Sequence, residues 1–361
     1  MRCMKSILVH DWLTSAVGGE ENVLEAIHRL LPSPIFTLVC NREKLKGTYF
    51  QDLDIQTSFI QKLPFAKTQY RNYLPFCPRA IESLDVKGFD LIISSSQGIA
   101  KGVITHPNQL HICYCHTPMR EETGLIARNI RHSLQNWDNL SSKRVDHFIA
   151  NSQYVAGRIE RFYKKAAEVI YPPVNVGHYQ MKEKKGDYYV SASRLVQNKR
   201  VDLIVEAFSH MPDKKLVVIG EGPERKKLQA NARGNIEFLG YQTDDLLRDY
   251  LQNAKAFVFA AIEDFGIAPV EAMASGTPVI AFGEGGILET VVPGETGLFF
   301  KEQTAMSLIC AVKEFEKGSE FDPKKCRTRA ELFSPEKFRR QFQAFVLDKY
   351  IDFKNKVHIA L

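Results

Sequence analysis

Residues Ala261 to Gly276 read AIEDFGIAPVEAMASG. An apolar run, Lys255 to Ala261, leads in and an amphipathic run leads out, so the pattern is strand, short loop, helix. The helix is predicted to begin near Gly266 with Pro269 in its first turn, where a missing N–H has no intrahelical partner to lose. The amides of Phe265, Gly266, Ile267 and Ala268 then point ahead of the helix and, with its positive dipole end, suit an anion, above all a phosphate. Glu263 and Glu271 repel a phosphate. They accept hydrogen bonds from hydroxyls, or an acid here merely caps the helix, as acids at such junctions often do.

The same rhythm extends in both directions. In the second half, strands are predicted at 187–192, 215–219, 236–239, 255–261 and 278–281, with helices at about 199–209, 222–231 and 243–252. The carboxyl ends of these strands collect Ser193-Arg194, Gly220-Glu221-Gly222, Gly240-Tyr241, Glu263 to Ala268 and Gly283 to Gly286. In the first half, SILVH (Ser6 to His10) is a buried strand, and Gly18-Gly19 precedes an amphipathic helix. Further strands are expected at Ile35 to Cys40, Leu91 to Ser94, Gln109 to Tyr114 and His147 to Ala150. The fold class is α/β: two doubly wound, Rossmann-like domains, expected to face each other across a cleft. The lysine-rich connector KEKKG (Lys182 to Gly186) places the boundary, giving domains 1–183 and 184–334. The helix from Pro335, about 335–361, carries Phe338, Phe342, Phe345, Val346 and Tyr350 at helical spacing and is expected to pack back on the first domain.

The chain has 361 residues, 44% hydrophobic and 25% charged, with seven scattered cysteines that fit reduced thiols. No apolar run approaches a membrane span and no cleavable signal pattern opens the chain, so a cytoplasmic protein is expected. His111, Cys113, Cys115 and His116 do not converge on a metal, because His116 takes the opposite strand face. Asp52-Leu53-Asp54 spells D-x-D in a polar stretch away from any ligand edge. Of the net charge of +6, about +5 falls in residues 1–180. Its basic residues include Lys62, Lys67, Arg71, Arg79, Arg120, Arg128, Arg131, Lys143, Arg144, Arg158, Arg161, Lys164 and Lys165. They are either solvated helix faces or a surface that meets anionic lipid heads. No nucleic-acid motif accompanies them.

Arg194 and Lys199 follow the first strand of the second domain, in SRLVQNKRVD. A bidentate guanidinium and a flexible ammonium beside a helix N-terminus can neutralise a diphosphate, leaving Glu263 and Glu271 for sugar hydroxyls. A nucleoside diphosphate sugar meets these demands together. In its motifs the chain resembles the retaining glycosyltransferases of family 4, with the GT-B fold. They are Gly18-Gly19, S-R-L-x4-K-R-x-D (Ser193 to Asp202), V-x-x-G-E-G-P (Val217 to Pro223), F-L-G (Phe238 to Gly240) and E-x7-E (Glu263 to Glu271). A-S-G-T-P-V-I, G-G-I-L-E-T-V and G-E-T-G-L follow. The H-D-W start and the Y-C-H-T-P-M-R loop are similar to bacterial lipopolysaccharide and O-antigen mannosyltransferases that use GDP-mannose.

The resemblance implies that Arg194 and Lys199 bind the diphosphate, assisted by Gly18, Gly19 and the amides of Phe265 to Ala268. Glu271 would bond the ribose, Glu263 a donor-sugar hydroxyl, and Gly240-Tyr241 would lie against the base. His116 would face donor sugar and acceptor. No metal or other cofactor is implied. The acceptor would be a lipid-linked saccharide met at the inner face of the cytoplasmic membrane. Retention by same-face departure and attack, with Arg194 and Lys199 stabilising the leaving phosphate, is the favoured route. Alternatives are a UDP-sugar donor and a nucleotide-sugar 2-epimerase of the same fold; neither half has the full nicotinamide glycine fingerprint.

Overall fold

The structure, a computed structural model, describes residues 4–15, 18–119, 128–318 and 321–359. Arg120 lies outside them, as does the side chain of Arg128. The chain divides into two compact units, Met1–Pro173 with Pro335–Leu361, and Val174–Ser334.

The first unit is built on seven parallel strands: β1 (Ser6–His10), β2 (Ile35–Thr37), β3 (Ile55–Thr57), β4 (Leu91–Ser96), β5 (Leu110–Cys115), β6 (His147–Ala150) and β7 (Ala167–Val169). Their order is β3-β2-β1-β4-β5-β6-β7, so the direction of winding reverses between β1 and β4. Strands β4 and β5 are buried along their whole length, as parallel strands covered on both faces must be. On one face lie Val23, Leu24 and Ile27 of the helix Gly19–Leu30, together with Phe338, Phe342 and Val346 of the helix Pro335–Ile359. The Phe338 ring meets Tyr114 edge-on at 5.9 Å.

The second unit repeats the design with six strands: β8 (Tyr189–Ala192), β9 (Leu216–Ile219), β10 (Ile236–Gly240), β11 (Ala256–Phe259), β12 (Val279–Phe282) and β13 (Gly297–Phe300). The order is β10-β9-β8-β11-β12-β13, again all parallel, reversing between β8 and β11.

The structural division lies ahead of the lysine-rich connector where the sequence reading sets it. Residues 174–182 are stitched to the second unit by hydrogen bonds. The Val174 N–H donates to the Phe333 carbonyl at 2.8 Å, and the Lys182 N–H to that of Ser275 at 3.4 Å. The Arg327 guanidinium donates to the carbonyls of Val176 and Tyr179 at 3.0 and 2.7 Å. A charged connector marks solvent exposure, but backbone partners decide which core a segment joins.

Candidate active site

Ligands in doubly wound sheets sit beyond the carboxyl ends of the strands, where the order reverses. In the second unit that point is flanked by the loops leaving β8 and β11. The first carries Ser193, Arg194 and Lys199; the second carries Glu263 to Gly266. The Lys199 ammonium donates to Glu263 Oε1, and both side chains are half-buried. Separate tasks are read for these two residues from sequence; the fold instead brings them together as an ion pair. Arg194 is exposed.

The helix Ile267–Ala274 follows at once. Gly266 stands at its N-cap at φ 91°, a left-handed conformation that favours glycine, and no side chain caps it. Capping therefore does not account for either glutamate. Phe265 is buried against the Phe333 ring at 5.3 Å, which anchors the loop by its side chain.

The loops are laced by close backbone approaches. The Gly286 N–H donates to the Glu263 carbonyl at 2.8 Å, and a Cβ on Gly286 would lie 2.3 Å from the Asp264 carbonyl oxygen. A Cβ on Gly220 would lie 1.9 Å from that of Ser193. These glycines hold the β8 and β11 loops in place through the neighbouring loops after β9 and β12.

Glu271 lies on the second turn of the helix and is half-buried. Burial raises its pKa, and nearby Asp244 adds to this; the Tyr179 hydroxyl, donating to the carboxylate, pulls the other way. Nothing in the local pattern around Tyr179 marks it as functional, because its role comes from the stitching of residues 174–182 to this unit. Gly240 ends β10 at φ 72°, and Tyr241 after it is 72% exposed, an open ring of the kind that stacks on a planar ligand.

In the first unit the reversal point is dry. His10 and Asp11 end β1, Ser95 and Ser96 end β4, and His116 follows β5; all five are buried. Asp11 accepts from the Gln97 N–H at 2.6 Å and from the Ala100 N–H, yet burial pushes its pKa up to about 6. His116 Nε2 lies 2.8 Å from Ser95 Oγ, and the Asn151 side chain donates to its carbonyl at 2.9 Å. Burial holds His10 down at about 4 and His116 at about 3, so both rings are neutral at physiological pH. Gly18 caps the helix Gly19–Leu30 without a side-chain bond, and a Cβ there would lie 2.5 Å from Glu21 Oε2. Burial raises the Glu21 carboxyl to about 7.

Among the described residues no cluster of three His, Cys, Asp or Glu side chains is placed to hold a metal ion. The His111 ring is engaged instead with Ser94 and the Arg144 carbonyl. Asp54 immediately precedes β3, at the amino edge of the sheet. The basic residues of the first unit divide. Arg144 pairs with Glu82 at 2.7 Å, Arg158 donates to Thr117 Oγ1 at 2.8 Å, and Lys165 to the Val145 carbonyl. Lys62, Lys67, Arg71 and Arg79 are exposed, in a stretch where Phe59, Phe65 and Phe76 are exposed too.

This arrangement, an exposed guanidinium, an ammonium–carboxylate pair and an uncapped helix start at a switch point, is a candidate site whose chemistry suits a phosphorylated, hydroxyl-bearing ligand. Residues 180–332 match the model of the glycosyl transferases group 1, and residues 17–178 that of glycosyltransferase family 4. An uncharacterized glycosyltransferase of Methanocaldococcus jannaschii is 30% identical over 264 residues, covering 67% of this chain and 72% of the relative. The alpha-1,3/1,6-mannosyltransferase ALG2 of Rhizomucor pusillus is 25% identical over 51% of this chain and 54% of its own. The chain thus spans about half the length of that relative.

Among solved structures, sucrose-phosphate synthase of Thermosynechococcus elongatus superposes with a TM-score of 0.77 at 19% identity, over 96% of this chain and 100% of that one. The Anabaena protein HepE, in complex with UDP and glucose, gives 0.72 at 18% identity, over 95% and 99%. The chain belongs to the glycosyltransferases of group 1 and family 4, and its fold class is GT-B.

Proposed function

We propose that this glycosyltransferase moves a hexose, mannose from GDP-mannose, to a lipid-linked saccharide in lipopolysaccharide, O-antigen or other surface polysaccharide synthesis, with retention at the anomeric carbon. The observation that carries the reading is the switch point of the second sheet, whose two loops carry Arg194, the Lys199–Glu263 pair and the uncapped helix start. Arg194 and Lys199 take the diphosphate and, with it, the charge that grows on the leaving group. When Lys199 turns to the phosphate, Glu263 is released to accept from a donor-sugar hydroxyl. Glu271 takes the ribose and Gly240-Tyr241 the base. Gly18 and Gly19 assist at the diphosphate, and His116 faces the donor sugar and the acceptor. No metal or cofactor has a part.

Mannose is favoured by the likeness to ALG2 mannosyltransferases. A UDP-sugar is the second reading, favoured by the UDP-bound structural neighbour. A thermal-shift panel of GDP-, UDP- and ADP-sugars separates them. The true donor at 100 times its Kd stabilises by about 2.7 kcal/mol, and the others do not. An equatorial anomeric bond in the product, read from the one-bond carbon–proton coupling at the anomeric carbon, would rule out retention, and product formed without acceptor would point to an epimerase.

For the acceptor side, the proposal is peripheral contact with an anionic membrane at its inner face, through residues 59–79. No described helix is long and apolar enough to cross a membrane. Residues 59–81 contain no acid, four cations and three exposed phenylalanines; Phe65 is held 73% exposed in a left-handed conformation at φ 54°, costly in water on both counts. Phe65→Ser is expected to cut co-sedimentation with phosphatidylglycerol vesicles severalfold; equal sedimentation with phosphatidylcholine vesicles sinks the contact.

A further inference from the structure

Three side chains at the reversal point of the first sheet form a chain of contacts whose proton positions can be derived. His10 Nδ1 lies 3.2 Å from the Ser95 carbonyl oxygen and 3.2 Å from Ser95 Oγ. A carbonyl only accepts, so the neutral His10 ring carries its proton on Nδ1 and shares it between these two oxygens. Ser95 Oγ therefore receives from His10 and must send its own hydrogen elsewhere. His116 Nε2, at 2.8 Å, is the acceptor within reach. An uncharged imidazole that accepts at Nε2 has its proton on Nδ1.

We propose that Ser95 and His10 are positioning residues that fix His116 as the Nδ1–H tautomer and so present it as a hydrogen-bond donor, never a base, to an oxygen of the substrate. His116 is buried, with 6% of the residue's surface exposed. Its Nε2 is occupied by Ser95 and its carbonyl by Asn151. What remains for a ligand is Nδ1–H, which suits a hydroxyl oxygen or a phosphate oxygen. The claim about the substrate rests on the transferase reading; the claim about the proton does not.

A second pair on the same strands shows the logic independently. His111 Nδ1 lies 3.2 Å from the Arg144 carbonyl and must carry a proton, and its Nε2 accepts from Ser94 Oγ at 2.9 Å. His111 is fully buried and supplies an internal reference with the same tautomer.

Long-range proton–nitrogen spectra of the full chain with labelled histidine read the tautomer directly. In the wild type, His116 is expected to show a protonated Nδ1 and a bare Nε2, as His111 does. A protonated His116 Nε2 overturns the proposal with no variant needed. Ser95→Ala should shift the His116 signals toward the other tautomer and leave those of His111 in place; unchanged His116 signals would assign the tautomer to something other than Ser95. With the donor found by thermal shift, Ser95→Ala is expected to lower kcat about tenfold with KM little changed, and Ser95→Thr, which restores the hydroxyl, to stay within about threefold of wild type. Equal losses in Ala and Thr would make Ser95 a packing residue. A chain that turns over no nucleotide sugar defeats the function reading while the spectra still decide the proton.

Discussion

The two sheets reverse direction in the same way, between β1 and β4 and between β8 and β11, yet the two reversal points differ in kind. In the first unit it is a buried set of polar groups whose charges have been suppressed: His10 and His116 are neutral, and Asp11 is pushed up to about 6. In the second it is half-open and charged, with Arg194 exposed and Lys199 paired to Glu263. Topology supplies a place for a ligand; the local dielectric decides what that place does. A dry edge suits directional hydrogen bonds, and a wet edge suits mobile charge, which is what a diphosphate would require.

The comparison breaks most readily at Arg194. If the second edge is the charged one that matters, Arg194→Ala lowers kcat/KM on the order of 10²-fold or more, with the melting temperature unchanged, since the side chain is exposed. Unaltered transfer would move the phosphate site elsewhere.

The suppressed charge of the first edge is tested by acid. His116 is held at about 3 against an ordinary value of 6.5, so below pH 6.5 the unfolded chain takes a proton that the folded one refuses. Stability is complete above pH 6.5 and is lost as pH falls. At pH 5 this one ring accounts for about 2 kcal/mol. His10 acts in the same direction, while Asp11, raised from 3.8 to about 6, binds its proton more tightly when folded and offsets part of the loss between those values. His116→Gln should lose less stability than wild type between pH 7.5 and 5 in denaturant titrations. Parallel curves would mean that the ring is not held neutral.

A smaller effect is expected where the second edge borrows from burial. Tyr179→Phe removes the donor to Glu271 and leaves that carboxylate with less reason to ionise. The expected outcome is a rise of about fivefold in the donor KM with kcat nearly kept, and an unchanged KM would assign the hydroxyl to structure alone.

Much of this was legible in the sequence, for reasons visible in particular elements. The central strands announce themselves because both faces are covered: the apolar runs of Leu91 to Ser94 and Gln109 to Tyr114 lie within or beside β4 and β5. Strands β3, β7 and β13 escape the pattern. They are three or four residues long, lie at the sheet edges and keep part of their surface wet, so IQT and AEV show no apolar run. At the candidate site, Arg194, Lys199, Glu263 and Glu271 are singled out by motif spacing. That Lys199 and Glu263 pair, that Tyr179 holds Glu271, and that Ser95 joins His10 to His116 are contacts between residues 64, 92, and 85 and 21 positions apart. No local pattern encodes them.

The second unit is one uninterrupted segment, whereas the first is completed only by the helix Pro335–Ile359. During synthesis the later-made unit has all its strands before the earlier-made one has its last helix. Until that helix arrives, the apolar face that receives Phe338, Phe342 and Val346 stays open, with Leu8, Ile93 and Tyr114 in the same cluster. The first-made half therefore cannot close its apolar face until residues 335–359 have been made, so the earliest-synthesised sheet carries an open hydrophobic surface for the longest part of synthesis.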